Sequence, residues 1–142
     1  MAPLVSTIEV ARPPEEVFAV VTDPLRFGEW QPDVAHVRLL GDNRFATTRR
    51  MRGGARTLVQ EITTNDRPTR WAAEAVDGPI RPRATVTIEP VDDGAGSRVT
   101  FTLDFEGHGI GVPLIPLVRR QAEKTAPVSY QNLKNLIEGS PR

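Results

Sequence analysis

Toward the C-terminal end of the sequence, apolar and small residues recur at steps of three and four. Leu114, Val118, Ala122, Thr125, Ser129, Leu133 and Leu136 share one face of a helix predicted over residues 111–138, with Arg119, Arg120, Glu123, Lys124, Lys134 and Glu138 mostly off that face. The middle of the seam, Ala122, Thr125 and Ser129, is small or hydroxylated, which leaves room between the helix and its packing partner. Pro127 removes a backbone donor and crowds the preceding turn at a cost of about 3 kcal/mol, so a kink or break is expected near Thr125. Gly139, Ser140 and Pro141 then end the helix.

The pattern is different upstream. Residues 4–11 alternate, Ile8 and Val10 against Thr7 and Glu9, as a half-buried strand does. Pro14, with Glu15 and Glu16 behind it, opens a short helix whose apolar stripe is Val17, Val20 and Val21. Asp23-Pro24 repeats the signal, cap followed by proline, for a second short helix near 24–27. From 34 to 106 six strands fit between turn-forming clusters: about 34–40, 44–52, 55–64, 70–77, 82–90 and 97–106. Loops this short make an antiparallel meander. Phe45 with Met51, Leu58 with Ile62, Val86 with Ile88, and Val99, Phe101, Leu103 and Phe105 read as the face toward the long helix; Arg44, Arg50, Arg52, Thr85, Thr87, Glu89, Thr100, Thr102 and Asp104 read as the wet face.

Composition narrows the chemistry. The 142 residues suit one domain, residues 1–142, with a core that needs no staples. Without cysteine there is no disulfide, thiolate nucleophile or Cys-ligated zinc. Eighteen basic residues balance eighteen acidic ones, so net charge gives no electrostatic case for nucleic acid or for an anionic membrane. Glu9 and Arg12 interrupt the N-terminal region where a signal peptide needs an apolar run, and the best apolar stretch, 109–118, is short and holds Pro113 and Pro116. The expectation is a cytoplasmic protein with no transmembrane segment.

The order of strand, two short helices, six-stranded meander and long closing helix resembles the helix-grip fold of the START and Bet v 1-like superfamily. Glu15-Glu16-Val17-Phe18-Ala19-Val20-Val21-Thr22-Asp23, Trp30-Gln31-Pro32 and Asn132-Leu133-Lys134-Asn135-Leu136-Ile137-Glu138 are similar to the opening and closing helices of its polyketide cyclase/dehydratase branch. The resemblance implies an α+β fold: a curved seven-stranded antiparallel sheet wrapped around the C-terminal helix, with a cavity between them for a hydrophobic or amphipathic small molecule. It implies a wall of Trp71, Val86, Phe101, Leu103, Phe105, Val118, Ala122 and Thr125. The plainer alternative is that these residues pack on one another, as large apolar side chains normally do.

Such a cavity can bind only, or it can cyclise or dehydrate a polyketide-like chain, polarising carbonyls and moving protons with polar wall groups. Arg49 is the first catalytic candidate because it shares parity with Phe45, Thr47 and Met51; Glu61 and Glu74 are its candidate partners. Gln60, between Leu58 and Ile62, is the second. His36 and His108 fit no metal spacing, and neither a metal nor a cofactor is expected. Tyr130, the one tyrosine, either lines the cavity or packs. Residues 107–111, rich in glycine, lack the dinucleotide fingerprint and read as a hinge, and residues 110–118 as a flap over one end of the cavity, preferred over a membrane-surface helix because of the two prolines. Arg44, Arg49, Arg50, Arg52 and Arg56 leave a third reading, an RNA- or ribosome-associated toxin-like module, although Phe45 is the one aromatic among them. A homodimer is compatible with all three.

Overall fold

The structure, a computed structural model, describes residues 2–51 and 53–139. Seven antiparallel strands form one curved sheet in the order β1-β7-β6-β5-β4-β3-β2. β1 is Leu4–Val10, β2 Val34–Leu39, β3 Arg44–Met51, β4 Gly54–Asp66, β5 Arg70–Ala75, β6 Ile80–Val91 and β7 Gly96–Gly107. The meander β2 to β7 follows the expected strand count, and β1 adds to β7 with Ile8 opposite Val99 and Leu4 opposite Leu103. Because β1 and β2 lie on opposite edges, the chain between them must cross one end of the sheet. It does so as α1, Pro14–Val21, and a 3-10 helix, Pro24–Glu29, two residues longer than the short helix expected near 24–27. Pro14 occupies the first turn of α1, and the Asp23 carboxylate accepts the Leu25 N–H at 3.1 Å, as the cap reading required.

The long helix α2 runs Ile115–Glu138, preceded by a 3-10 helix at Gly109–Leu114. The helix therefore starts four residues later than the expected 111. Pro116 falls in the first turn of α2, where a missing N–H costs nothing, and Gly111 is spent on a close approach: a Cβ there would lie 1.9 Å from the Pro79 carbonyl oxygen. The expected break near Thr125 does not occur, for α2 is continuous through Pro127. Pro127 and Glu123, whose carbonyl loses its helical donor, both face solvent, so water satisfies what proline cannot.

The buried seam of α2 is Ala122, Ser129, Leu133 and Ile137. Val118 and Leu136 are half-buried, while Leu114 and Thr125 are exposed, contrary to the seam read from spacing. The helix engages the core mainly through its C-terminal half. Leu133 meets Phe18, Val17, Val21 and Val99 in a fully buried cluster, each side chain contributing about 1.5–3 kcal/mol. Polar contacts fix the same end: Glu138 accepts the Ala11 N–H at 2.9 Å, the Glu138 carbonyl accepts from Arg12 at 2.8 Å, and Lys134 donates to the Glu9 carbonyl at 2.5 Å and to the Glu138 carboxylate at 2.7 Å.

Hydrogen bonds from Lys134 and the Ala11 N–H hold the Glu138 carboxyl below the usual carboxylate range. A depressed folded-state pKa contributes stability above the unfolded value of roughly 4.3 that is lost as pH falls through the folded one. Glu138→Gln should therefore cost about 0.5–1 kcal/mol in urea unfolding at neutral pH. The difference from wild type should vanish in acid; a gap that persists there would mean that the carboxylate is not its source.

Candidate functional site

Strand register decides which side chains face α2. Phe45 is fully buried against Phe27 and Trp71, so β3 turns Phe45, Thr47 and Arg49 toward the concave face, and their partners on β4, Gln60, Leu58 and Arg56, share it. The row continues through Trp71 opposite Val86 and Val86 opposite Phe101. Further along the same strands, Ala84 lies opposite Leu103 and Pro82 opposite Phe105.

One end of this concave face is sealed by aromatic rings. Phe27 meets Trp30, Phe45 and Trp71 edge-on, with centroids 6.0, 5.7 and 6.2 Å away. Trp30 leans on Phe101 at 6.5 Å, and Tyr130 of α2 stacks on Phe101 with centroids 3.9 Å apart and planes 10° from parallel. Toward the end where β7 gives way to the 3-10 helix, the lining is not sealed: Leu58, Leu103, Phe105 and Val118 are half-buried.

The predicted wall residues thus divide. Trp71, Val86, Phe101 and Ala122 are buried, the first three as one row across adjacent strands; Leu103, Phe105 and Val118 line the partly open end; Thr125 is exposed. Two shallow depressions, about 180 and 200 Å³, lie on the sheet. The first is bounded by His36, Arg38, Ala46, Thr48 and Thr57, all of outward parity; the second takes in Trp71 and Val86 among the outward Thr64, Arg70, Ala72, Thr85 and Thr87.

The polar candidates are drawn together more closely. Gln60 is buried and its carbonyl oxygen accepts the Thr47 hydroxyl at 3.0 Å. Arg49 is half-buried, with its guanidinium 3.2 Å from both carboxylate oxygens of Asp33. Its partner is neither Glu61, which pairs with Arg44 at 2.8 Å, nor Glu74, which lies 4.0 Å from Arg83, because both glutamates have outward parity. Asp33 reaches Arg49 from the linker before β2, whose backbone bonds to β3 through Arg50 N–H to Asp33 O at 2.7 Å. The same linker is tied to α2 by Asn132, which donates to the Trp30 carbonyl at 3.3 Å.

Tyr130 is close enough to Arg49 to feel its charge. Burial pushes the phenol up to about 12, and the neighbouring guanidinium pulls the other way without reversing it. At neutral pH Tyr130 is a hydrogen-bond donor, never a phenolate. The Trp30 indole N–H is buried and has no acceptor among the described residues. Sequence reasoning named Arg49, Gln60 and Tyr130 but missed Trp30 and Asp33 as polar participants. Trp30 stood only among the residues of resemblance, and Asp33 owes its role to a linker conformation that no periodicity records.

Among the described residues, the concave-facing register positions carry no histidine and no carboxylate beyond Asp33 at the end of Arg49. His36 is exposed on the convex face, and His108 Nε2 lies 2.9 Å from Glu106 at the end of β7. No group of three histidine, aspartate or glutamate side chains among the described residues is placed to hold a metal. The five arginines of the β3–β4 hairpin do not make one surface: Arg44 and Arg50 have outward parity, Arg49 and Arg56 inward, and Arg52 lies outside the described residues. What remains is an apolar, aromatic wall beside hydrogen-bond donors, suited to a molecule with an apolar body and an acceptor oxygen.

Comparison with known proteins agrees with the fold. Residues 1–138 match the family model described as polyketide cyclase / dehydrase and lipid transport. A START superfamily protein from Mycobacterium smegmatis superposes with a TM-score of 0.81 at 16% identity, covering 98% of this chain and 99% of that one. The Zhui aromatase/cyclase from Streptomyces sp. R1128 gives 0.81 at 14% identity, covering 96% and 93%. The di-domain aromatase/cyclase BexL gives 0.76 at 18% identity, covering 97% of this chain and 47% of that one. Among curated proteins, no sequence matches the chain.

Tyr130 is the one tyrosine in the sequence, so phenolate absorbance reports it alone. The native protein should titrate near 12 and the urea-unfolded protein near the ordinary value of roughly 10. Because the folded pKa is the higher, the associated stability is complete below pH 10 or so and is lost as pH rises through about 12. Tyr130→Phe should abolish that loss; a native midpoint near the ordinary value would place the ring in water instead.

Proposed function

The chain belongs to the polyketide cyclase/dehydrase and lipid transport family, and from that premise we propose that it holds a hydrophobic or amphipathic small molecule, lipid or polyketide-like, between the sheet and α2. The observation that carries this reading is the character of the polar groups on the concave face. Arg49, the Tyr130 hydroxyl and the Trp30 indole N–H are donors, set beside apolar residues that stay half-buried at Leu58, Leu103, Phe105 and Val118. Donors that converge near an apolar lining fix the orientation of an oxygen-bearing ligand. Proton abstraction needs a base of suitable pKa, and the described lining offers neither histidine nor free carboxylate. Binding is thus favoured over chemistry.

A second reading, cyclisation or dehydration of the held molecule, draws on the nearness of Arg49 to Tyr130. A guanidinium and a neutral phenol directed at one carbonyl would stabilise an enolate or alkoxide as negative charge develops on its oxygen. Gln60, held by Thr47, would then order the chain beside them.

Native mass spectrometry of the purified protein against its denatured mass tests the first reading directly: a retained lipid or aromatic compound is expected. Arg49→Ala separates the two. Under the binding reading it weakens affinity for the retained compound about 10- to 100-fold, the loss of one charge-assisted hydrogen bond, with no turnover in either form. Turnover by the wild type that disappears in Arg49→Ala, with the fold intact by circular dichroism, would favour the enzyme.

A further inference from the structure

The segment between β7 and the body of α2 displays its apolar side chains outward. Ile110 is 82% exposed, Val112 56%, Leu114 45% and Leu117 64%. This is not the exposure of a loose loop. The His108 N–H donates to the Pro79 carbonyl at 2.8 Å, Gly111 is buried against that same carbonyl, and a Cβ on Gly107 would sit 2.7 Å from Val112 Cα. Two of these backbone contacts pin the segment to the β5–β6 turn and the third packs it on the end of β7, with its apolar groups facing solvent. Clustered exposed apolar side chains on a fixed backbone mark an interaction surface.

Charge narrows the partner. Between Ile115 and Val128 the sequence carries Arg119, Arg120 and Lys124 against one acid, Glu123. Arg119 is committed to the fold, 3.7 Å from Asp104 and bonded to the Ala2 carbonyl. Arg120 and Lys124 are exposed and make no ion pair among the described residues. They stand one and two turns beyond Leu117, at steps of three and four, so all three share an exposed stripe of α2. The antiparallel order brings the β3–β4 hairpin to the same end of the sheet, where Met51 is 52% exposed and Arg56 is likewise unpaired among the described residues. Fixed apolar groups backed by free cations match the boundary between acyl chains and anionic headgroups.

We infer that the rim formed by Ile110, Val112, Leu114 and Leu117, with Arg120 and Lys124 behind it, docks on an anionic lipid bilayer. The half-buried lining of Leu103, Phe105 and Val118 opens at this same end, so docking presents the ligand space to the membrane. The inference goes beyond the ligand-binding reading and stands or falls separately from it.

Co-sedimentation of the full chain with phosphatidylcholine vesicles, with and without phosphatidylglycerol, provides the test. Binding is expected to the phosphatidylglycerol vesicles and to weaken with salt. Arg120→Glu should reduce it on the order of tenfold, and the double variant Ile110→Asp, Leu117→Asp should remove it. These positions are exposed, so thermal melting and the mass of any retained compound should not change in the variants. Failure to bind either vesicle overturns the inference, as does equal binding to both that is indifferent to Arg120→Glu. A concentration-dependent dimer in analytical ultracentrifugation, dissolved by Leu117→Asp in the absence of vesicle binding, assigns the rim to a second copy of the chain and overturns it too. If retention of a small molecule fails while vesicle binding holds, the ligand reading falls and docking survives.

Discussion

The one-sided anchoring of α2 governs this molecule. Leu133 and Ile137 bury against Phe18, Val17 and Val99, while Lys134 and Glu138 bond to backbone where β1 ends. Burial supplies the energy and the polar contacts supply the register. With one end of a 24-residue helix fixed in this way, its other half need not be packed down to be held in place. That freedom leaves Val118 half-buried at the partly open end, while Tyr130, in the anchored half, stacks on Phe101.

The sheet contributes the opposite property, rigidity. Its cross-strand row Trp71, Val86 and Phe101 is continuous, and Phe27 wedges edge-on among the neighbouring rings. The linker at 30–33 bridges helix and sheet, bonding to α2 through the Trp30 carbonyl and to β3 through Asp33. Arg49 is therefore positioned by two elements at once. Its guanidinium keeps a fixed direction, which a donor must have if it is to orient a ligand.

Much of this was legible in the sequence, and the parts that were not share a cause. Alternation in β7 and the turn clusters gave the meander, since period-two patterning reports burial directly. The proline-led turns gave α1 and its successor because their signals are local. The end of α2 near Ile115, the intact helix at Pro127 and the exposure of Thr125 were misread because each depends on what lies across from the residue: Pro79 against Gly111, water beside Glu123, open space opposite Thr125. The site follows the same division. Parity placed Arg49 and Gln60 on the concave side and sets Glu61 on the other, yet it says nothing of Asp33, which lies in a linker outside the strands. The glutamate lies opposite Arg44 in the ladder and faces away; the aspartate precedes Val34, the cross-strand partner of Arg49, and is near in space.

The aromatic seal has a geometric consequence. Phe27, Trp30, Phe45 and Trp71 close the space at a position set by the framework, while Leu103 and Phe105 lie toward its open end. If the proposed ligand binds there, a chain-like guest threaded from that end would run until it met the rings and no further, with its oxygen read off against Arg49 and Tyr130 on the way. Under the proposed ligand reading the rings would act as the zero of a ruler, and trimming or enlarging Phe27, Phe45 or Trp71 would move the scale without altering the donors.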